Sequence, residues 1–106
     1  MLEHWSRLLP VNRLYETENL LAFYHPQPSY AVHILIVPKK AIPSMVSLVG
    51  RADGFSELFV QDLLHCVNEL VIELGLEVRG YRLIVNGGAY QDIPELHFHL
   101  VSGESR

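Results

Sequence analysis

The sequence predicts an α+β domain: an antiparallel sheet of about five strands, one long helix and one or two short helices. Three observations carry this. A chain of 106 residues allows one domain, spanning 1–106. Only one segment, 55–74, has the length and apolar period of a long helix. Five other segments read as strands, and one helix cannot cover both faces of a sheet that size.

The elements follow in order. Residues 1–10 carry Trp5, Leu8 and Leu9 without a clear period and read as a short helix or an irregular lead-in. Residues 13–24 form a predicted hairpin. Leu14-Tyr15 and Leu20 to Tyr24 flank the polar patch Thr17-Glu18-Asn19, which reads as the turn. Pro26 and Pro28 then interrupt regular structure, because each fixes φ and lacks a backbone donor. Ala31 to Val37 is apolar apart from His33 and rich in β-branched residues, as a strand buried on both faces would be. Pro38 ends it. One short helix is expected within 42–49.

In the long helix, Phe59, Leu63, Val67, Leu70 and Leu74 recur at helical spacing. Gln61, Asp62, His65, Asn68, Glu69 and Glu73 fall mostly opposite. Gly75 suits the left-handed residue that closes such a helix. Tyr81 to Val85 is the fourth strand, Asn86-Gly87-Gly88 its exit turn, and Leu96 to Val101 the fifth.

Composition excludes several classes. The net charge is −4, the wrong sign for a nucleic-acid platform. One cysteine, Cys66, permits no intrachain disulfide and suits a reducing compartment. The first ten residues lack the apolar core of a signal peptide, and no apolar run has the length of a membrane span. A cytoplasmic location without membrane association is expected.

The chemistry concentrates in the last strand. Side chains alternate between faces, so Leu96, Phe98 and Leu100 point to the core while Glu95, His97 and His99 point together to the other face. Imidazole there suits proton transfer, nucleophilic attack or metal ligation. His33 interrupts a buried strand, so it is either satisfied structurally or faces a site. His65 is expected on the solvated helix face. Asn86-Gly87-Gly88 reads as a turn, although glycine also lets backbone amides approach a phosphate.

Three segments together resemble the histidine-triad (HIT) family, in particular its purine nucleoside phosphoramidase branch. Leu20 to His25 with Pro26-Gln27-Pro28 resembles the family's second strand and the turn after it. His33 to Lys40 is similar to the next strand. Tyr81 to Asn86 and then Gln91 to Gly103 resemble the catalytic end. The match runs in order from about Arg13 onward.

The resemblance implies a homodimer that attacks the α-phosphorus of a purine nucleotide conjugate, with no metal and no cofactor. It makes His97 the nucleophile, with His99 assisting at the phosphate and His33 close behind. Asn86 and Gln91 fall near ribose and phosphate. Tyr15, Phe23 and Leu35 match the apolar slot for the base. The backbone carbonyl of Glu95 is the implied acceptor for the second ring nitrogen of His97.

Four departures stand out. Glu95 replaces the first triad histidine, and its carboxylate is expected to raise the pKa of His97 or His33 if it faces them. Asp92 stands where relatives often carry a leaving-group Ser. His25 stands where they commonly carry the ribose-binding Asp. The 86–91 loop is short. These departures make a nucleotide-binding module with little turnover the alternative reading. A metal site built from His33, His97, His99 and Glu95 ranks last.

Overall fold

The computed structural model describes residues 13–105, so the expectation for residues 1–10, His4 included, lies outside them. The chain builds β1 (Arg13–Glu16), β2 (Leu20–Tyr24), β3 (Tyr30–Pro38), α1 (Met45–Val49), α2 (Phe55–Glu73), α3 (Leu76–Arg79), β4 (Arg82–Val85) and β5 (Phe98–Ser105). The strands form one sheet in the order β1-β2-β3-β5-β4, with every neighbouring pair antiparallel. This is the expected α+β architecture.

Helix α2 covers one face. Its buried Phe55, Phe59, Leu63, Cys66, Val67, Leu70 and Val71 repeat every three or four residues and form one stripe. The stripe packs on Leu20, Ala22, Ile34, Ile36, Phe98 and Leu100 of the three central strands. Asp53 accepts the Phe55 amide and caps the helix from one residue before Gly54. Gly75 takes the expected left-handed φ of 68°.

The hairpin turn is tied to this helix. Thr17 Oγ1 accepts the amides of Asn19 and Leu20, and the same hydroxyl donates to Asp62 of α2 at 2.6 Å. The Asn19 side-chain Nδ2 donates to the same carboxylate oxygen at 2.9 Å. Asp62, read from sequence as part of the solvated helix face, therefore joins helix to turn. These bonds hold its carboxyl below the usual carboxylate range.

Two boundaries differ from expectation. A one-turn helix, α3, follows Gly75, anchored by the single buried residue Leu76. Strand β5 starts at Phe98 rather than Leu96, because the Leu96 amide donates to the Ile42 carbonyl at 2.8 Å and does not join the ladder. The strand also continues to Ser105. It does so through an irregularity opposite Ala31, where Gly103 adopts φ of 86° and a Cβ would lie 2.7 Å from the Ala31 methyl.

The register fixes what the other face presents. Phe23, Leu35, His99 and Ile84 stand in one row across β2, β3, β5 and β4. His33, Val101 and Arg82 form the next row. Leu21, Phe23, Leu35 and Val37 cluster on this side with Ile93, separate from the core under α2. The candidate site lies on this second face.

Candidate active site

Adjacent rows bring His33 and His99 into direct contact, with His33 Nε2 2.9 Å from His99 Nδ1. His33 is 6% exposed and His97 4%. His25 lies tilted against His33 with ring centroids 4.4 Å apart, and His97 meets His99 edge-on at 5.1 Å. Four imidazoles thus form a continuous cluster on the sheet face. The structure satisfies His33 and turns it toward the site at once, which joins the two readings its sequence context left open.

Backbone partners assign the tautomers. The Ser29 amide donates to His33 Nδ1 at 2.9 Å, so that nitrogen carries a lone pair and Nε2 carries the hydrogen. Nε2 then donates to His99 Nδ1, which leaves the His99 hydrogen on Nε2. The Gln27 amide donates to His25 Nδ1 at 3.0 Å, with the same consequence. His97 is the reverse case. Its Nδ1 lies 2.8 Å from the Glu95 carbonyl oxygen, which only accepts, so Nδ1 carries the hydrogen and Nε2 the lone pair. His25 and His99 therefore carry their hydrogen on Nε2, His33 gives its own to His99, and His97 has its lone pair on Nε2.

Burial and mutual repulsion keep His33, His99 and His25 toward the neutral form. Burial first, then the neighbouring His25 and His99, pushes His33 down to about 4. Burial first, then His97 and His25, pushes His99 down to about 4, while Asp92 opposes this. Burial and then His97 also lower His25, again against Asp92. The Glu95 carboxylate is not among the influences on His33, so the expected upward shift there is corrected to a downward one. Desolvation of the ring and the two neighbouring imidazoles set the direction instead.

This gives a pH prediction. The folded His33 and His99 bind protons more weakly than the unfolded chain, whose imidazoles titrate near 6.5. Stability is then complete above about pH 6.5 and falls as pH drops toward 4, by about 3 kcal/mol for either ring alone. Urea unfolding between pH 7.5 and 4.5 is expected to show this slope, and His99→Asn to flatten it. A flat wild-type profile would contradict the assignment.

The remaining candidates divide. Asn86 joins His33 and His99 in lining a cleft of about 230 Å³, together with Ser29, Tyr30, Ile84 and Val101. Phe23 and Leu35 lie on the site face but are buried against Ile93, so they form a closed floor rather than an open slot. Tyr15 is a correction. It pairs with Ala22 and packs into the core under α2, on the opposite face from the histidines, because a bulge between Arg13 and Tyr15 shifts the register. Gln91 is a second correction. Its amide nitrogen donates to the carbonyls of Pro43 at 2.6 Å and Ile93 at 3.0 Å, so it ties down its loop and does not reach the cluster as a phosphate donor.

Asn86-Gly87-Gly88 leads into a 3-10 turn at Gly88–Tyr90, as the turn reading expects. His65 is exposed on α2, also as expected. Asp92 stands at the mouth of the site, with Oδ1 3.9 Å from His97 Nε2. Sequence reasoning missed Ser29, which orients His33 through its backbone, and Tyr30, whose ring meets His33 edge-on at 5.5 Å. No residue type signals a backbone contact; only the Pro26–Pro28 loop hinted that the chain turns back there. Among the described residues, no three His, Cys, Asp or Glu side chains are arranged to hold a metal ion. His33 Nε2 and His99 Nδ1 face each other and do not converge on a third point.

Fold and site together define an α+β domain that carries an ordered, histidine-centred site on the sheet face opposite its long helix. A model of the HIT domain matches residues 7–106, and the chain belongs to the HIT family. A HIT-like protein of Helicobacter pylori is 32% identical over 98 residues, covering 91% of this chain and 88% of the relative. A HIT family hydrolase from Legionella pneumophila superposes with a TM-score of 0.76 at 32% identity, covering 93% and 87% of the two chains. A histidine triad nucleotide-binding protein from Candida albicans does so with a TM-score of 0.74 at 27% identity, covering 93% and 71%. The fold is therefore that of HIT family hydrolases. Among the described residues, no helix is long and apolar enough to cross a membrane.

Proposed function

We propose that this protein is a nucleotidyl hydrolase or transferase that attacks the α-phosphorus of nucleoside phosphoramidates or dinucleoside polyphosphates through a nucleotidyl-His97 intermediate. The observation that carries this reading is the tautomer order. The Glu95 carbonyl holds the hydrogen of His97 on Nδ1 and leaves the lone pair on Nε2. The relatives named as a HIT family hydrolase and a nucleotide-binding protein support it.

In the first step the Nε2 pair forms a bond to phosphorus and the bond to the leaving group breaks. The imidazolium charge that results is stabilised by the Nδ1–H bond to Glu95. The Nε2–H of His99 and the amide of Asn86 donate to the non-bridging oxygens, where charge builds up in the transition state. In the second step water attacks phosphorus, the P–N bond breaks, its electron pair returns to Nε2 and a proton passes to solvent. The product is a nucleoside monophosphate. His33 acts behind His99, keeping its Nδ1 occupied so that the hydrogen stays on Nε2. His25 stands where it meets the ribose, and Phe23 and Leu35 form the floor beneath the base.

A second reading, a nucleotide-binding module with little turnover, draws on Asp92. Its carboxylate oxygen lies 3.9 Å from Nε2, where its negative charge opposes the approach of an anionic substrate. Rapid quenching with nucleotide-labelled phosphoramidate separates the two. Turnover with acid-labile label on the peptide that contains His97 is the expected result. Calorimetric binding of AMP or GMP without turnover or label would establish the module instead.

The purine branch of the family is part of the proposal, as are a cytoplasmic location and a homodimer. Leu83 and Val85, partly exposed on the outermost strand β4, support the dimer, as does Leu64, exposed on α2. The buried unpaired thiol of Cys66 suits a reducing compartment.

A further inference from the structure

We infer that Asp92 selects the leaving group, favouring substrates that release an amine over those that release an anionic phosphate. The inference rests on the reading of His97 as nucleophile. Asp92 Oδ1 lies 3.9 Å from His97 Nε2, and the Asp92 side chain is 83% exposed at the mouth of the site. The carboxylate is held there through its neighbours. Gln91 is bonded to the Pro43 and Ile93 carbonyls on one side of it. Ile93 packs against the Phe23 and Leu35 floor on the other.

In-line displacement puts the leaving atom on the far side of phosphorus from the attacking nitrogen. With Nε2 buried in the sheet face, that far side is the mouth. A departing group therefore leaves past the Asp92 carboxylate. Among the described residues, Arg82 stands on the same face, out on the edge strand β4. His33 and His99 are neutral rings, His25 is likewise held low, and the Glu95 contact is a backbone carbonyl. Lys39 and Lys40 are engaged by Glu16 and Asp53, away from the cluster.

The sign of the effect follows. The reactive form of a phosphoramidate carries a proton on its bridging nitrogen, taken from solvent. The Nε2 pair bonds to phosphorus, the P–N bond breaks, and its electrons leave with the amine, which departs neutral with the proton it already holds. Asp92 stabilises the positive nitrogen before and during departure. When the leaving group is a phosphate chain, negative charge moves toward the same carboxylate and is opposed. Two unit charges about 4 Å apart in water-like surroundings change a rate about fivefold. The ratio of the two substrate classes is then set by about 25-fold, and salt weakens it.

The test compares kcat/KM for an N-alkyl phosphoramidate of AMP with that for diadenosine tetraphosphate, in the wild-type protein and in Asp92→Asn, at low and high ionic strength. The expected result is a fall of about fivefold on the phosphoramidate and a rise of about fivefold on the dinucleotide in Asp92→Asn. The wild-type preference is expected to shrink with salt, the variant's ratio to be salt-independent, and Asp92→Glu to retain the preference. An equal loss on both substrates, or a ratio that moves less than twofold, overturns the role of Asp92 while leaving the His97 mechanism standing. Absence of wild-type turnover and of label on His97 overturns both, and is seen separately in the quench experiment.

Discussion

Under the proposed mechanism, replacing His97 by alanine is expected to lower kcat/KM for nucleoside phosphoramidates by at least about a thousandfold, as loss of a covalent nucleophile does elsewhere. His97 is the ring whose lone pair is directed outward by a backbone acceptor, and the other three cannot exchange roles with it. For His99 to attack, its Nδ1 would have to give up the His33 hydrogen bond or its Nε2 would have to lose a proton. The substitution also removes the donor to the Glu95 carbonyl, in a residue only 4% exposed. That costs about 1–3 kcal/mol, so the variant stays folded with a lowered Tm. His97→Gly supplies the decisive arm, because added imidazole fills the vacated space and is expected to restore part of the turnover. Turnover within tenfold of wild type in His97→Ala, with a cooperative melt, would remove the nucleophile assignment altogether.

The sheet and α2 were legible because each has a period that only one structure satisfies. Phe59, Leu63, Val67 and Leu70 mark a helix face, and the 31–37 run marks a central strand. Helix α3 was not legible, since four residues with one buried Leu76 carry no period. Nor was the end of β5. Gly103, Glu104 and Ser105 are exposed and belong to the strand through their backbone, which side-chain patterns do not report.

The site divides along the same line. His97 and His99 were legible from alternation within one strand. The His33–His99 contact required the β3–β5 register, which no local pattern fixes. The resemblance puts Tyr15 on the site face, and one bulge in β1 turns it to the other. The tautomers depend on the backbone of Ser29, Gln27 and Glu95, so they belong to loop geometry. What the family resemblance added was the link between distant histidines. What the structure added was the direction of each proton.

The histidines also depend on the far side of the sheet, through Phe98. This residue lies between His97 and His99 in the chain and points into the core, where its ring is 5.9 Å from Phe59. Phe59 is fully buried and stacks in turn on Phe55 at 6.0 Å. Phe59→Ala is expected to cost about 3–5 kcal/mol, from lost burial and from the cavity left under β5. Against a total of about 5–15 kcal/mol this is severe, with a fall in Tm of at least about 12 °C by thermal melt. The cavity opens directly beneath β5, whose first residue follows the proposed nucleophile His97, so kcat measured well below Tm is expected to fall as well. Leu70→Ala is the control, because Leu70 is as deeply buried but sits near the far end of α2. It is expected to lower Tm while leaving kcat of the folded protein nearly unchanged. If both variants lose kcat equally, general loosening explains the effect and the phenyl stack has no particular hold on the histidines. If only Phe59→Ala does, the helix side of the sheet sets the position of His97 on the other.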